Sequence, residues 1–177
     1  MEKWQHSNIA FDGKVVRLRV GTVVLDDGTP AYREVVEHPG GVCVLPYTGT
    51  EFVFVRQYRI ALETPILEAP AGKLEVGETP LQCAEKELRE ETGFLADRIV
   101  SLGAVFSSVG FCTEEIHLFL ALNLTQVGSD LEPEERIEPV YMSIADVRND
   151  LSEYGFSDAK TAIIVARASR WLEGNLL

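Results

Sequence analysis

Apolar and polar positions alternate with a period of two in the first third of the chain. Val16, Leu18, Val20 and Thr22 share one phase, Asp26, Asp27 and Gly28 interrupt it, and Ala31 to Val36 resume it. Such alternation puts every second side chain on one face of a strand, and an Asp-Gly break between two runs predicts a hairpin. Val42, Val44 and Pro46 before Thr48-Gly49-Thr50, with Phe52 to Tyr58 after it, predict a second hairpin. Four strands are therefore expected before the first helix.

The period changes at Thr79. Thr79 suits an N-cap, Pro80 suits the first helical position, where its missing N–H costs nothing, and Gly93 suits the residue just past the end. Leu81, Ala84 and Leu88 recur at steps of three and four, which predicts a buried stripe and leaves Glu87, Glu90 and Glu91 on another face. Beyond Gly93, strands are expected at Ile99 to Phe106, Ile116 to Leu122 and Ile137 to Met142. Ser143 is placed to cap a short helix over Ile144 to Asn149, and Ser157 to cap a last one carrying Ala162, Ile163, Val165, Ala166, Ala168 and Trp171. Strands, helix, strands, helix indicates an α+β or layered α/β/α domain.

Composition narrows the class. At 177 residues the chain suits one domain, 1–177, and 46% hydrophobic with 25% charged residues is ordinary for a water-exposed globular protein. No apolar run approaches the length of a membrane span, so no membrane partner is expected. The opening MEKWQHSN lacks the features of a secretion signal, so a cytoplasmic location is expected. A net charge of −12 repels a nucleic-acid backbone and excludes phosphate tracking by a basic surface. Cys43, Cys83 and Cys112 are widely spaced, without a CxxC, and read as small buried hydrophobes. His38 and His117 read as hydrogen-bonded strand residues, since neither has a sequence partner for nucleophilic catalysis.

The helix carries the candidate chemistry. Glu87 and Glu91 lie one turn apart and Glu90 three residues after Glu87, a spacing at which like charges repel unless a cation offsets them. Mg²⁺ takes oxygen ligands, commonly one or two carboxylates with substrate phosphates and water. The competing reading is a solvated acidic face, of which Glu85 with Arg89 is an ordinary i,i+4 example.

The order of residues around these charges favours the metal. The stretch Gly72, Glu78, Lys86-Glu87, Leu88, Arg89, Glu90-Glu91, Thr92, Gly93, Phe94 resembles the signature of the Nudix hydrolases. It departs only at Lys86, where the family usually has Arg. Lys86 is a point charge rather than a planar fork, able to neutralise Glu90 at i,i+4 with less rigidity. The resemblance extends through Arg33 to Gly40, Arg56-Gln57-Tyr58-Arg59, Leu67 to Gly72, Ser108-Val109-Gly110 and Glu115 to Phe119, and is to the ADP-ribose and nucleoside diphosphate sugar pyrophosphatase branch. Val109 stands where that branch often has proline.

The resemblance implies the Nudix fold, a mixed β-sheet sandwiched between helices, with an N-terminal antiparallel β-hairpin region over 1–40 involved in homodimerisation and a core over 41–177. It implies Mg²⁺, or Mn²⁺, held by the Ala71 carbonyl, Glu87 and Glu91, with Glu90 sharing a metal. It implies a general base in the loop after the box, Glu135 or else Glu134. It also implies that Arg59 meets the diphosphate or ribose, Arg33 the base, and Gly110 and Glu114 the terminal ribose; the competing account for both arginines is structural ion pairing with Glu34, Glu63 or Glu68. The reaction expected is hydrolysis of ADP-ribose or a related nucleotide sugar. The rivals are another nucleotide substrate, such as GDP-mannose, a dinucleoside polyphosphate or capped RNA, and a non-catalytic nucleotide-sensing domain.

Overall fold

Each residue of the strand β4 (Gly41–Pro46) is buried, and the second half of the chain is built around it. In a computed structural model that describes residues 1–131, 136–152 and 155–175, β4 pairs in parallel with β9 (Glu115–Gln126) and antiparallel with β7 (Ala71–Lys73). With β8 (Phe94–Phe106) beyond β9, this gives a mixed sheet of order β7-β4-β9-β8. A second sheet, β10-β5-β6, is formed by β10 (Ile137–Ser143), β5 (Glu51–Arg59) and β6 (Thr64–Glu68).

Side chains alternate across β4, so its two faces can be read from what each touches. Cys43 and Leu45 pack with Ile164, Val165, Ala168 and Leu172 of the last helix, α3 (Ala159–Asn175). Val42 and Val44 pack with Cys83, Ala84 and Leu88 of α1 (Pro80–Thr92). Leu118 and Leu120 of β9 join the first group, Phe119 and Ala121 the second. The sheet is thus covered by a helix on each face, which is the expected α/β/α layering.

The predicted second hairpin is not formed. β4 and β5 lie in different sheets, linked at their near ends by the bridge of Tyr47 to Phe52. The physical reason is apolarity on both sides of each strand: Phe52 and Phe54 face one cluster and Val53 the other, so each strand needs cover on both faces. Seven strands, rather than four, precede α1. Pro65, Pro70 and Gly72 hid β6 and β7 by reading as loop punctuation.

The chain divides into two compact units, Met1–Gly40 with Phe106–Glu115, and Gly41–Val105 with Ile116–Leu177. The sheets above belong to the second. The first holds an antiparallel sheet of β1 (Lys3–Asp12), β2 (Arg17–Val24) and β3 (Pro30–Glu37), in that order. The predicted β2–β3 hairpin is present, its turn closed by the Thr29 N–H donating to Asp27 Oδ1 at 2.9 Å. β1 escaped prediction because nearly all of its side chains are exposed, and it is held by backbone pairing to β2 without an apolar face.

α1 begins and ends where expected. Thr79 accepts from the Gln82 N–H at 3.3 Å while Gln82 Oε1 accepts from the Thr79 N–H at 3.0 Å, a reciprocal cap. Gly93 takes the left-handed conformation, with φ 73°, that closes the other end. Replacing Thr79 by Ala is expected to cost about 1 kcal/mol, read as a fall in Tm of about 2–4 °C.

Two helix expectations are corrected. Leu81 is 45% exposed, and the buried face of α1 carries Glu87 and Glu91 beside Ala84 and Leu88, rather than leaving the glutamates opposite. The cap of α3 is Asp158, not Ser157: Asp158 Oδ2 accepts from the Thr161 N–H at 3.0 Å. Ser143 does cap α2 (Ile144–Ser152), accepting from the Asp146 N–H at 3.1 Å. No described helix is long and apolar enough to cross a membrane.

Candidate active site

Every residue from Glu68 to Gly72 is fastened, to β4, β5, α1 or α3, and at Ala71 and Gly72 the segment meets the acidic face of α1. The Ala69 N–H donates to Thr161 Oγ1 at 2.8 Å, and the Pro70 carbonyl accepts from the Val44 N–H at 2.8 Å. The Ala71 N–H donates to Glu91 Oε2 at 3.0 Å. Gly72 lies so close to Glu87 that a Cβ built on it would stand 2.0 Å from Glu87 Oε1. Only glycine admits that approach, which is why a glycine precedes the acidic helix by this spacing.

Glu87 and Glu91 are 8% and 5% exposed. Two carboxylates one turn apart, both removed from water, form an arrangement that costs stability unless cations or hydrogen bonds compensate it. Part of the compensation is visible. Lys86, expected to reach Glu90, forms ion pairs with Glu75 at 3.5 Å, Glu78 at 3.8 Å and Glu87 at 3.6 Å. Burial opposes the Lys86 charge, yet Glu87, Glu78 and Glu75 outweigh it and raise its pKa.

The donors at this place are all oxygens, which fits a hard divalent cation and not a soft one. Among the described residues no group of three or more His, Cys, Asp or Glu side chains is placed to hold a metal ion. A metal here would therefore draw on the Glu87 and Glu91 pair together with backbone, and β7 brings backbone against both. Glu90, partly buried, is the intervening residue, and its carbonyl accepts from the Asp130 N–H at 3.2 Å.

Arg59 lies at the end of β5 in a second cluster, of which the pairing with Glu68 was the competing expectation and Asp158 and Lys160 are new. Its Nε and Nη2 donate to the two oxygens of Glu68 at 2.6 and 3.0 Å. Lys160 also donates to Glu68 Oε2 and lies 3.0 Å from Asp158. The Glu68 side chain is 5% exposed, Lys160 15% and Arg59 42%. Burial pushes the Glu68 pKa up, but the bonds from Arg59 and Lys160 outweigh it and the net shift is downward. Burial likewise opposes the Lys160 charge, and Asp158 with Glu68 reverses that, raising its pKa. Ninety-two residues separate Glu68 from Lys160, so nothing local in the sequence joined them.

The signs of these shifts set a pH window. Glu68 contributes stability above the ordinary carboxylate value of 4.5 and loses it as pH falls through its lower folded value. Lys160 contributes below its ordinary 10.5 and loses it as pH rises through its higher folded value. Thermal melting is expected to be level between these limits and to fall on either side. In a Glu68→Gln, Lys160→Met double variant, melting should lose part of both slopes.

The remaining candidates belong to the first unit. Arg33, on β3, pairs with Glu2 at 2.8 Å and donates to the Tyr32 carbonyl at 2.9 Å. Glu114 lies 3.5 Å from His38 Nδ1, which accepts from the Gly40 N–H at 3.1 Å, so His38 is structural as expected. Gly110 sits exposed in the loop between β8 and β9. Glu134 and Glu135 lie outside the described residues. Cys43 and Cys83 are buried as expected and offer no nucleophile, burial pushing the first far up and the second up to about 12, whereas Cys112 is only partly buried.

The NUDIX domain family matches residues 37–162. The chain is 39% identical over 158 residues to an ADP-ribose pyrophosphatase of Bacillus subtilis, covering 88% of this chain and 85% of that one. It is 38% identical over 167 residues to a methanol dehydrogenase activator of Bacillus methanolicus, covering 93% and 90%. A solved ADP compounds hydrolase superposes with a TM-score of 0.88 over 99% of this chain and 96% of that one. At 18% identity that last likeness establishes the fold alone.

Proposed function

The chain belongs to the Nudix family, and we propose that it hydrolyses the diphosphate of ADP-ribose or a related nucleoside diphosphate sugar, giving a nucleoside monophosphate and a sugar phosphate. The observation that carries this reading is the pair of buried carboxylates, Glu87 and Glu91, pressed against Ala71 and Gly72. The name of the Bacillus subtilis relative supports the substrate class.

Glu87, Glu91 and the Ala71 carbonyl would hold a divalent cation, with Glu90 sharing it, and Mg²⁺ or Mn²⁺ suits such oxygen donors. Bound there, the cation would neutralise charge gathering on the diphosphate oxygens and hold phosphorus and water in line. Arg59 meets the diphosphate, and the guanidinium fork suits phosphate oxygens. The family resemblance assigns Arg33 to the base and Gly110 and Glu114 to the terminal ribose, roles that belong to the same proposal.

Glu135, or else Glu134, takes the proton from the attacking water. The water oxygen bonds to phosphorus as the bridging P–O bond breaks, and the second phosphoryl group leaves with its electrons. The hydrogen bond of Asp130 to the Glu90 carbonyl supports this role, because it starts the loop at the end of α1.

A homodimer built through the N-terminal sheet is part of the same reading. Its support is the exposure of β1, on which Trp4 is 36% and Phe11 56% exposed. Three free cysteines agree with a reducing, cytoplasmic setting.

The reading is tested by steady-state release of nucleoside monophosphate from ADP-ribose, ADP-glucose, GDP-mannose and diadenosine polyphosphates, with Mg²⁺ and with chelator. Chelator-sensitive turnover that favours a nucleotide sugar is expected. A second reading, a Nudix domain that acts through a partner enzyme, is favoured by the name of the Bacillus methanolicus relative. Tight binding without turnover across the panel would favour it.

A further inference from the structure

Arg59 enters the proposed reaction as a cation for the diphosphate, yet both edges of Glu68 already occupy part of its fork. The pair is side-on: Nε and Nη2 engage Glu68, and Nη1 takes no part in it. Such a pair fixes the guanidinium plane and leaves one nitrogen for another anion. An arginine pinned in this way is only as well placed as the carboxylate that pins it.

Glu68 is itself held by a second cation, from α3. Lys160, one residue into α3, donates to the Glu68 oxygen that Arg59 Nη2 also uses. Lys160 is fixed in turn by Asp158, whose carboxylate takes both the N–H and the hydroxyl of Thr161, at 3.0 and 2.5 Å. That hydroxyl oxygen accepts the Ala69 N–H, so α3 grips two consecutive residues of the segment leading to Ala71. Arg59, Glu68, Asp158 and Lys160 line one cleft of about 300 Å³ with Ala61, Leu62 and Ile66. The cluster is therefore open on the side where Arg59 emerges.

The geometry points to Lys160 as a positioning residue for phosphate recognition: through Glu68 it sets the orientation of Arg59 in the cleft. This rests on the proposed function, in which Arg59 meets the diphosphate. Lys160 touches no substrate in this account. It neutralises one Glu68 oxygen and keeps the carboxylate from turning, so that Arg59 keeps its remaining donors directed into the cleft.

The test is a double-mutant cycle read by calorimetric binding of ADP-ribose in chelator, so that binding is seen apart from turnover. Lys160→Met in the wild-type background is expected to weaken binding about tenfold, the scale of one charge-assisted contact. Lys160→Arg should restore affinity to within about threefold, since a second fork can still hold Glu68. In an Arg59→Lys background, which lacks the side-on fork, Lys160→Met should change affinity less than about twofold.

A role in stability alone would lower the melting temperature with affinity unchanged, or weaken binding equally in both backgrounds, and either result overturns the assignment. If Lys160→Met does not fold, Lys160→Gln, which keeps a donor toward Glu68 without charge, is put through the same cycle. Wild-type protein that binds and cleaves ADP-ribose keeps the proposed function whatever Lys160 does. Wild-type protein that neither binds nor cleaves any nucleotide of the panel overturns that function and this assignment with it.

Discussion

Glu91→Gln lowers kcat/KM for ADP-ribose by about 10³-fold or more, while the protein melts within a few degrees of the wild type. The substitution removes one charge and almost no volume. An amide oxygen can still accept the Ala71 N–H that Glu91 Oε2 accepts, so the link from α1 to β7 survives. The loss is of the anion alone, at a place where only an anion serves a divalent cation. Steady-state kinetics with circular dichroism melts check it, and near-normal turnover in a folded variant removes Glu91 from the site.

Gly72→Ala is the second large effect, and it acts through space rather than charge. A Cβ at this position would stand 2.0 Å from Glu87 Oε1 and 2.1 Å from its Cδ, closer than any side chain tolerates. Glu87 must turn away or β7 must shift, and β7 is fixed on β4 by the pairing of Val42 with Gly72. Displacement of a positioned group by about 1 Å costs about 10²-fold in rate. Overpacking adds about 1–3 kcal/mol of destabilisation, or several degrees in Tm. Kinetics and melting of the same preparation check both parts. A variant with wild-type rate shows that Glu87 need not lie against Gly72.

The two variants separate the roles of one short region, and that region was largely legible in the sequence. Thr79, Pro80 and Gly93 marked α1 to the residue, because caps are local chemistry written at fixed offsets. The acidic residues stood out for the same reason. What periodicity misread was their side of the helix. Leu81 was counted as core because it is apolar, and Glu87 and Glu91 as surface because they are charged, while the structure does the reverse. A helix that buries carboxylates breaks the apolar stripe at the place where the chemistry is, and a rule built on burial of apolar residues fails there.

The misreading of β4 and β5 has a different origin. A short turn between two apolar runs is the usual sign of a hairpin, but a strand that is apolar on both faces gives no phase to test. Neither sequence offered a clean alternation, and the two strands part into separate sheets. The addition of Asp158 and Lys160 to Arg59 and Glu68 was invisible for a third reason. Those two residues are unremarkable in sequence and reach Glu68 only when α3 closes over the β6–β7 connection. Lys86 shows the same limit at closer range, since i,i+4 spacing pointed to Glu90 while its ammonium reaches Glu75, Glu78 and Glu87.

The central claim is that water attacks a diphosphate joining a nucleoside to a sugar, and product analysis in ¹⁸O-water tests it most directly. ADP-ribose incubated with the protein and Mg²⁺ should yield AMP and ribose 5-phosphate, with a single ¹⁸O in one of the two new phosphates and none in a chelator control. Release of free adenine, ADP or inorganic phosphate as the first product, or cleavage that ignores the chelator, would contradict it.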